Sequence, residues 1–145
     1  MSGIVCAVRG GPSSRHTIDR AVALANETGL ALHFLYVVNL AFLTHTVTSR
    51  VRTISEEMRS MGESILYTAK ARAQEQGVTA QTVVRHGNVL EEISNLCHEL
   101  SADYLVLGQP GGEHEQDVFT EAQQAHFQEQ IENEVGASVL LAKGG

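Results

Sequence analysis

Two short apolar runs, each closed by a loop holding one of the chain's two prolines, constrain the fold more than any other feature. Ile4-Val5-Cys6-Ala7-Val8 leads into Gly10-Gly11-Pro12-Ser13-Ser14, and Tyr104-Leu105-Val106-Leu107 leads into Gly108-Gln109-Pro110-Gly111-Gly112. Unbroken apolar runs of this length suit strands covered on both faces, as in a parallel sheet. If both runs belong to one such sheet, both loops emerge at its carboxyl edge. Open α/β sheets bind ligands there, in the crevice where strand order reverses.

The rest of the chain alternates strand and helix. Serines beside Pro12 suit a helix start, and that helix carries Ile18, Ala21, Val22 and Ala25 on one face until Gly29 stops it. Ala31 to Val38 is an almost wholly apolar second strand. After a mixed loop at 39–49, the spacing of Ile54, Met58, Met61, Ile65 and Ala69 predicts a long helix ending near Gly77, with both methionines in the core. Thr79 to Arg85 is a third strand, and His86-Gly87-Asn88 turns it into a helix with the stripe Val89, Ile93, Leu96, Cys97 and Leu100. A fourth strand at 103–107 precedes an acidic loop at 111–117. A last helix carries Phe119, Phe127, Ile131 and Val135, and the final strand is Ala137 to Ala142. Five strands separated by helices predict a single α/β domain over residues 1–145: a doubly wound, Rossmann-like parallel sheet of order 3-2-1-4-5 with helices on both faces.

Charge narrows the partners. Nine of the ten Lys and Arg fall in residues 1–85, whereas residues 86–142 hold eleven acids and no Lys or Arg. A nucleic-acid reader needs a basic face, and the second half cannot supply one. The acidic stretch reads as a solvated face or as an interface for a basic protein partner. No run is long enough to span a bilayer and no charged-then-apolar leader opens the chain, so the expectation is a soluble, cytoplasmic protein. Cys6 and Cys97 lie in apolar stretches and read as small free hydrophobes. His86, His114 and His126 have no ligand-like spacing, so no metal centre is expected from them. Phosphate-loop, dinucleotide-fingerprint and serine-hydrolase patterns are absent, and no paired acid and base or nucleophile and base suggests catalysis.

Three segments resemble the universal stress protein family, over essentially the whole chain. They are Ile4 to Gly11 with the following Ala-rich helix and Leu32 to Val38; His86-Gly87-Asn88-Val89 with Glu92-Ile93; and Ala102-Asp103-Tyr104-Leu105-Val106-Leu107-Gly108. Many members bind ATP through Gly-x2-Gly-x9-Gly-[Ser/Thr] after the fourth strand, with an aspartate after the first. Here Gly108-x2-Gly111 matches the first half of that motif. In the second half Ala125-His126 stands in the place of Gly-Ser, with thirteen residues rather than nine between Gly111 and Ala125, and the longer segment carries Glu113, Glu115, Asp117 and Glu121. Arg9 stands where the family's aspartate would be. Acids repel a polyphosphate, whereas an arginine grips a phosphate or carboxylate in bidentate fashion or pairs with the acidic segment.

The resemblance thus implies a stress-response binding protein with a degenerate nucleotide crevice. Its candidate residues are Arg9 for an anion, Gly10 and Gly11 for close backbone approach, and Val37 or Val38 against a flat apolar group. Gly108 and Gly111 are the surviving phosphate-loop positions, and His126 takes the place of the family's hydroxyl. ATP, ADP and AMP are the candidate ligands. An ATP-binding switch with slow or no hydrolysis is the alternative. A nucleotide-acting enzyme is the third reading, because Arg9 to Ser14 also resembles the Ser-Gly-Gly-x-Asp-Ser loop of ATP pyrophosphatases. The family's final strands pair across a two-fold axis, which implies a homodimer through Val139, Leu140 and Leu141.

Overall fold

A computed structural model describes residues 3–9, 14–39, 48–108 and 121–142. Its elements are β1 (Gly3–Ala7), α1 (Ser14–Thr28), β2 (Ala31–Val38), α2 (Thr48–Glu75), β3 (Ala80–His86), α3 (Val89–Leu100), β4 (Tyr104–Gly108), α4 (Glu121–Glu134) and β5 (Ser138–Ala142). The strands form one parallel sheet in the order β3-β2-β1-β4-β5. Order and direction agree with the sequence-based expectation, and element ends shift by a residue or two. Gly10, Gly11, Gly111, Phe119 and the acidic loop at 111–117 lie outside the described residues.

Alternation along the strands divides the core in two. Ile4, Cys6, Phe34, Tyr36, Val38 and Val106 pack with α1 and α2 on one face. Val5, Leu35, Leu105, Leu107 and Val139 pack with α3 and α4 on the other. Phe34, Ile4, Leu35 and Leu105 are fully buried, each worth about 1.5–3 kcal/mol relative to exposure. Cys6 and Cys97 are free and buried on opposite faces. Burial raises both thiols, Cys97 to about 12, which leaves them inert at neutral pH.

One expected core residue is not there. Met61 is 58% exposed. The buried line of α2 instead runs through Gly62, Leu66, Ala69 and Ala73, a clean i, i+4, i+7, i+11 stripe that Met61 misses by one residue. Gly62 belongs to it because the Tyr36 ring lies against the helix at that point. A Cβ at Gly62 would stand 2.7 Å from Tyr36 Cε2 and 2.9 Å from Cγ, and closer still to Cδ2.

Ion pairs fix the helices laterally. Asp19 of α1 accepts two hydrogen bonds from Arg72 of α2, at 2.6 and 2.9 Å. On the other face Arg85 of β3 donates to both carboxylate oxygens of Glu99 in α3, at 2.9 and 2.8 Å. Both pairs are partly solvated, so they set geometry more than stability.

Gly62→Ala should destabilise the fold by about 1–3 kcal/mol in denaturant melts, because overpacking at Tyr36 outweighs the better helix propensity of alanine. In a Tyr36→Ala background the same change should turn neutral or stabilising. The hydrogen bond from Arg72 holds the Asp19 carboxyl below its usual range. The Asp19–Arg72 contribution should therefore be complete above the ordinary aspartate range and fade as pH falls through the lowered value. Acid titration of wild type against Asp19→Asn would show it, the variant lacking that component of the pH dependence.

Candidate functional site

The chain leaves β1 and β4, neighbours at the centre of the sheet, toward opposite sides of the strand order. That divergence opens a gap at the carboxyl edge. A pocket of about 60 Å³ lies there, lined by Ala7, Val8 and Arg9 after β1, Leu35 and Val37 of β2, Val89 and Ile93 of α3, and Leu107 and Gly108 of β4. Its walls are apolar because they continue the α3/α4 core upward. Val8 N–H donates to the Leu35 carbonyl at 2.9 Å, carrying the β1 ladder one residue past the strand. Arg9 is exposed at the rim.

A second, larger cleft of about 470 Å³ lies between the first turns of α3 and the exposed side of α4. Asn39, Asn88, Glu91, Ser94, Asn95, His126 and Gln130 give it polar walls over Val89, Leu90 and Phe127. Val89 lines both spaces, so they adjoin across the start of α3. Asn88 caps that helix, its side-chain oxygen accepting from Glu91 N–H at 3.1 Å. Glu91 and Glu92 already occupy its first turn, where a helix end favours negative charge.

The residues named from sequence divide between these spaces. Val37 faces the smaller pocket with Arg9 and Gly108, whereas Val38 points to the opposite side of the sheet and is buried against α1 and α2. His126 lines the larger cleft instead. Ala125 and His126 are the fifth and sixth residues of α4 as described. They therefore lie beyond the four N–H groups that a helix start leaves without intrahelical partners. Apart from His126, the polar walls were not singled out from the sequence. Their signal was present as a polar line at 88, 91, 94 and 95 beside the apolar stripe of α3, and as the His126–Gln130 pair one turn apart on α4.

Gly108 has a packing reason of its own. A Cβ there would lie 3.0 Å from the Thr17 hydroxyl of α1, which is itself buried. It is not among the glycines with positive φ, so close approach rather than turn geometry calls for glycine. Gly108→Ala should lower stability by about 1–3 kcal/mol through that contact, and Thr17→Ala in the same chain should restore most of the loss. Thermal melts of the single and double variants would decide; an unchanged melting point in Gly108→Ala would deny the contact.

Comparison with known proteins agrees with this architecture. The profile of the Universal stress protein family matches residues 1–135. Universal stress protein YxiE of Bacillus subtilis (strain 168) is 30% identical over 116 residues, covering 74% of this chain and 78% of that protein. Universal stress protein UspA of Lactobacillus plantarum superimposes with a TM-score of 0.78 at 15% identity, over 97% of both chains. A universal stress protein solved in complex with cAMP superimposes with a TM-score of 0.68 at 20% identity, over 99% of this chain and 98% of that one.

Proposed function

Because the chain belongs to the universal stress protein family, we propose that it is a homodimeric stress-response binding protein whose carboxyl-edge crevice takes an adenine nucleotide with one phosphate in preference to ATP. The observation that carries this reading is the position of Ala125 and His126 inside α4. Where the family motif sets glycine and a hydroxyl to receive phosphates, this chain offers helix-interior backbone whose N–H groups are engaged. Arg9, at the rim of the apolar pocket, supplies a guanidinium where the family's acid would accept ribose hydroxyls. A flat base against Val37 and Val89 with one phosphate at Arg9 uses both features. The cAMP held by the related structure is a ligand of that class.

Catalysis is no part of this reading. Among the described residues no helix is long and apolar enough to cross a membrane. The acidic helices α3 and α4 have the chemistry to meet a basic protein partner.

Dimerisation rests on β5, which pairs with β4 at one end of the sheet. Apolar sheet edges invite pairing. Val139 is buried in the chain's own core, Leu140 packs toward the α1/α2 side, and Leu141 is 38% exposed. The side chain that reports on the partner is therefore Leu141.

Calorimetric titration of AMP, cAMP, ADP and ATP, with and without Mg²⁺, tests the ligand. The monophosphates should bind in the micromolar range, ATP no tighter, and Arg9→Ala should weaken them about tenfold, or about 1.4 kcal/mol. ATP with Mg²⁺ as the tightest ligand would instead support the switch. Leu141→Lys should shift the mass in solution from dimer to monomer with the fold retained. Val139→Lys should lower the melting temperature, since it places a charge in the core.

A further inference from the structure

Helix α2 carries more apolar surface than its own core uses. Ile54, Met58, Met61 and Ile65 follow the heptad spacing of a helix–helix seam. The core of this fold takes the adjacent line instead, through Gly62, Leu66, Ala69 and Ala73. Met58 and Ile65 rest only partly on that core, Ile54 is half-buried, and Met61 is 58% exposed. A solvated helix face is ordinarily polar, so four large apolar side chains in one line call for a cover.

The neighbouring helix does not supply it. α1 and α2 run side by side, with Asn26 donating to the Gln76 carbonyl and Arg72 to Asp19. Ile65 and Met58 stand one and two heptads before Arg72, on the same line of the helix. α1 begins only five residues before Asp19, so the seam runs on past its start.

The order of the seam points to what fits it. Its spacing of 4, 3 and 4 residues reads the same from either end. Two copies of α2 laid antiparallel across a two-fold axis therefore set Met58 of one against Met61 of the other, and Ile54 against Ile65. At the flanks Ser55 meets Gly62 and Glu57 meets Ser64, so no like charges face each other. Opposed helix dipoles favour the same direction.

We propose that α2 is a self-association surface, on which a second copy of this chain docks antiparallel through Ile54, Met58, Met61 and Ile65. α2 packs over β2 and β3, whereas β5 closes the opposite end of the sheet. The two surfaces are independent, and chains joined at β5 can meet further copies through α2. Four side chains from each copy make a contact smaller than the roughly 1,200 Å² of a standard interface. Pairing through α2 is therefore weak and grows with concentration.

Sedimentation equilibrium over a concentration series tests this, on wild type and Leu141→Lys, each with and without Met61→Lys. On concentration, wild type and Leu141→Lys should each form a species of twice the mass of their dilute form. Met61→Lys should weaken that step about tenfold or more in either background. The new lysine pairs with Glu57 one turn earlier, which retains the helix, and circular dichroism checks it. Crosslinking reads the direction, since Cys6 and Cys97 are buried. Under mild oxidation, an equimolar mixture of Met58→Cys and Met61→Cys chains should form disulfide-linked pairs faster than either variant alone. The absence of a concentration-dependent step in wild type and Leu141→Lys would overturn the proposal. So would a step that Met61→Lys leaves unchanged, which would place the association on another surface. Faster crosslinking of Met61→Cys alone would overturn the antiparallel order.

Discussion

The structure depends on β1 being covered on every side. Its two ladders are filled by β2 and β4, and its two faces by α1/α2 and α3/α4. Ile4, Val5 and Cys6 are accordingly fully inaccessible. A strand so enclosed must be apolar at consecutive positions, and its backbone groups must all be paired, since an unpaired buried amide costs as much as a lost hydrogen bond. Once β1 is central, the right-handed crossovers send the chain first one way through β2 and β3, then back past β1 to β4 and β5. The gap at the carboxyl edge is a consequence of that reversal.

Around this centre the polar contacts steer more than they stabilise. Asp19 with Arg72, and Arg85 with Glu99, join elements far apart in sequence through paired hydrogen bonds. Their partial exposure keeps each near the small contribution typical of solvated pairs. What they set is the lateral position of α2 and α3. For α3 this matters functionally, because its first turn forms walls of both spaces at the carboxyl edge.

The two edges of the sheet differ in kind. At the carboxyl edge, an apolar pocket with a guanidinium rim adjoins a cleft walled by amides, a carboxylate and an imidazole. Arg9, just after β1, borders the pocket, and His126 of α4 lines the cleft. Both stand on segments that follow strands, where a rigid sheet presents variable side chains to a shared space. At the amino edge the strand starts are packed tightly: a Cβ at Gly3 would stand 3.3 Å from the Ala31 carbonyl oxygen and 3.5 Å from the His33 ring.

The sequence by itself determined the strand order, the two core faces and the edge where a ligand crevice opens. All three follow from local periodicity and from connection rules that permit few alternatives. Tertiary structure decided what depends on side chains meeting across elements. It replaced Met61 with Gly62 in the buried stripe of α2, because the Tyr36 ring comes from another element and no pattern within the helix announces it. It sent Val37 and Val38 to opposite faces, and it showed Val139 to be core where edge and core are both apolar in sequence. It also set the His33 ring against Gly3, a neighbour on the adjoining strand that no linear spacing announces. Periodicity reports which way a side chain points; only the packed structure fixes what it meets there.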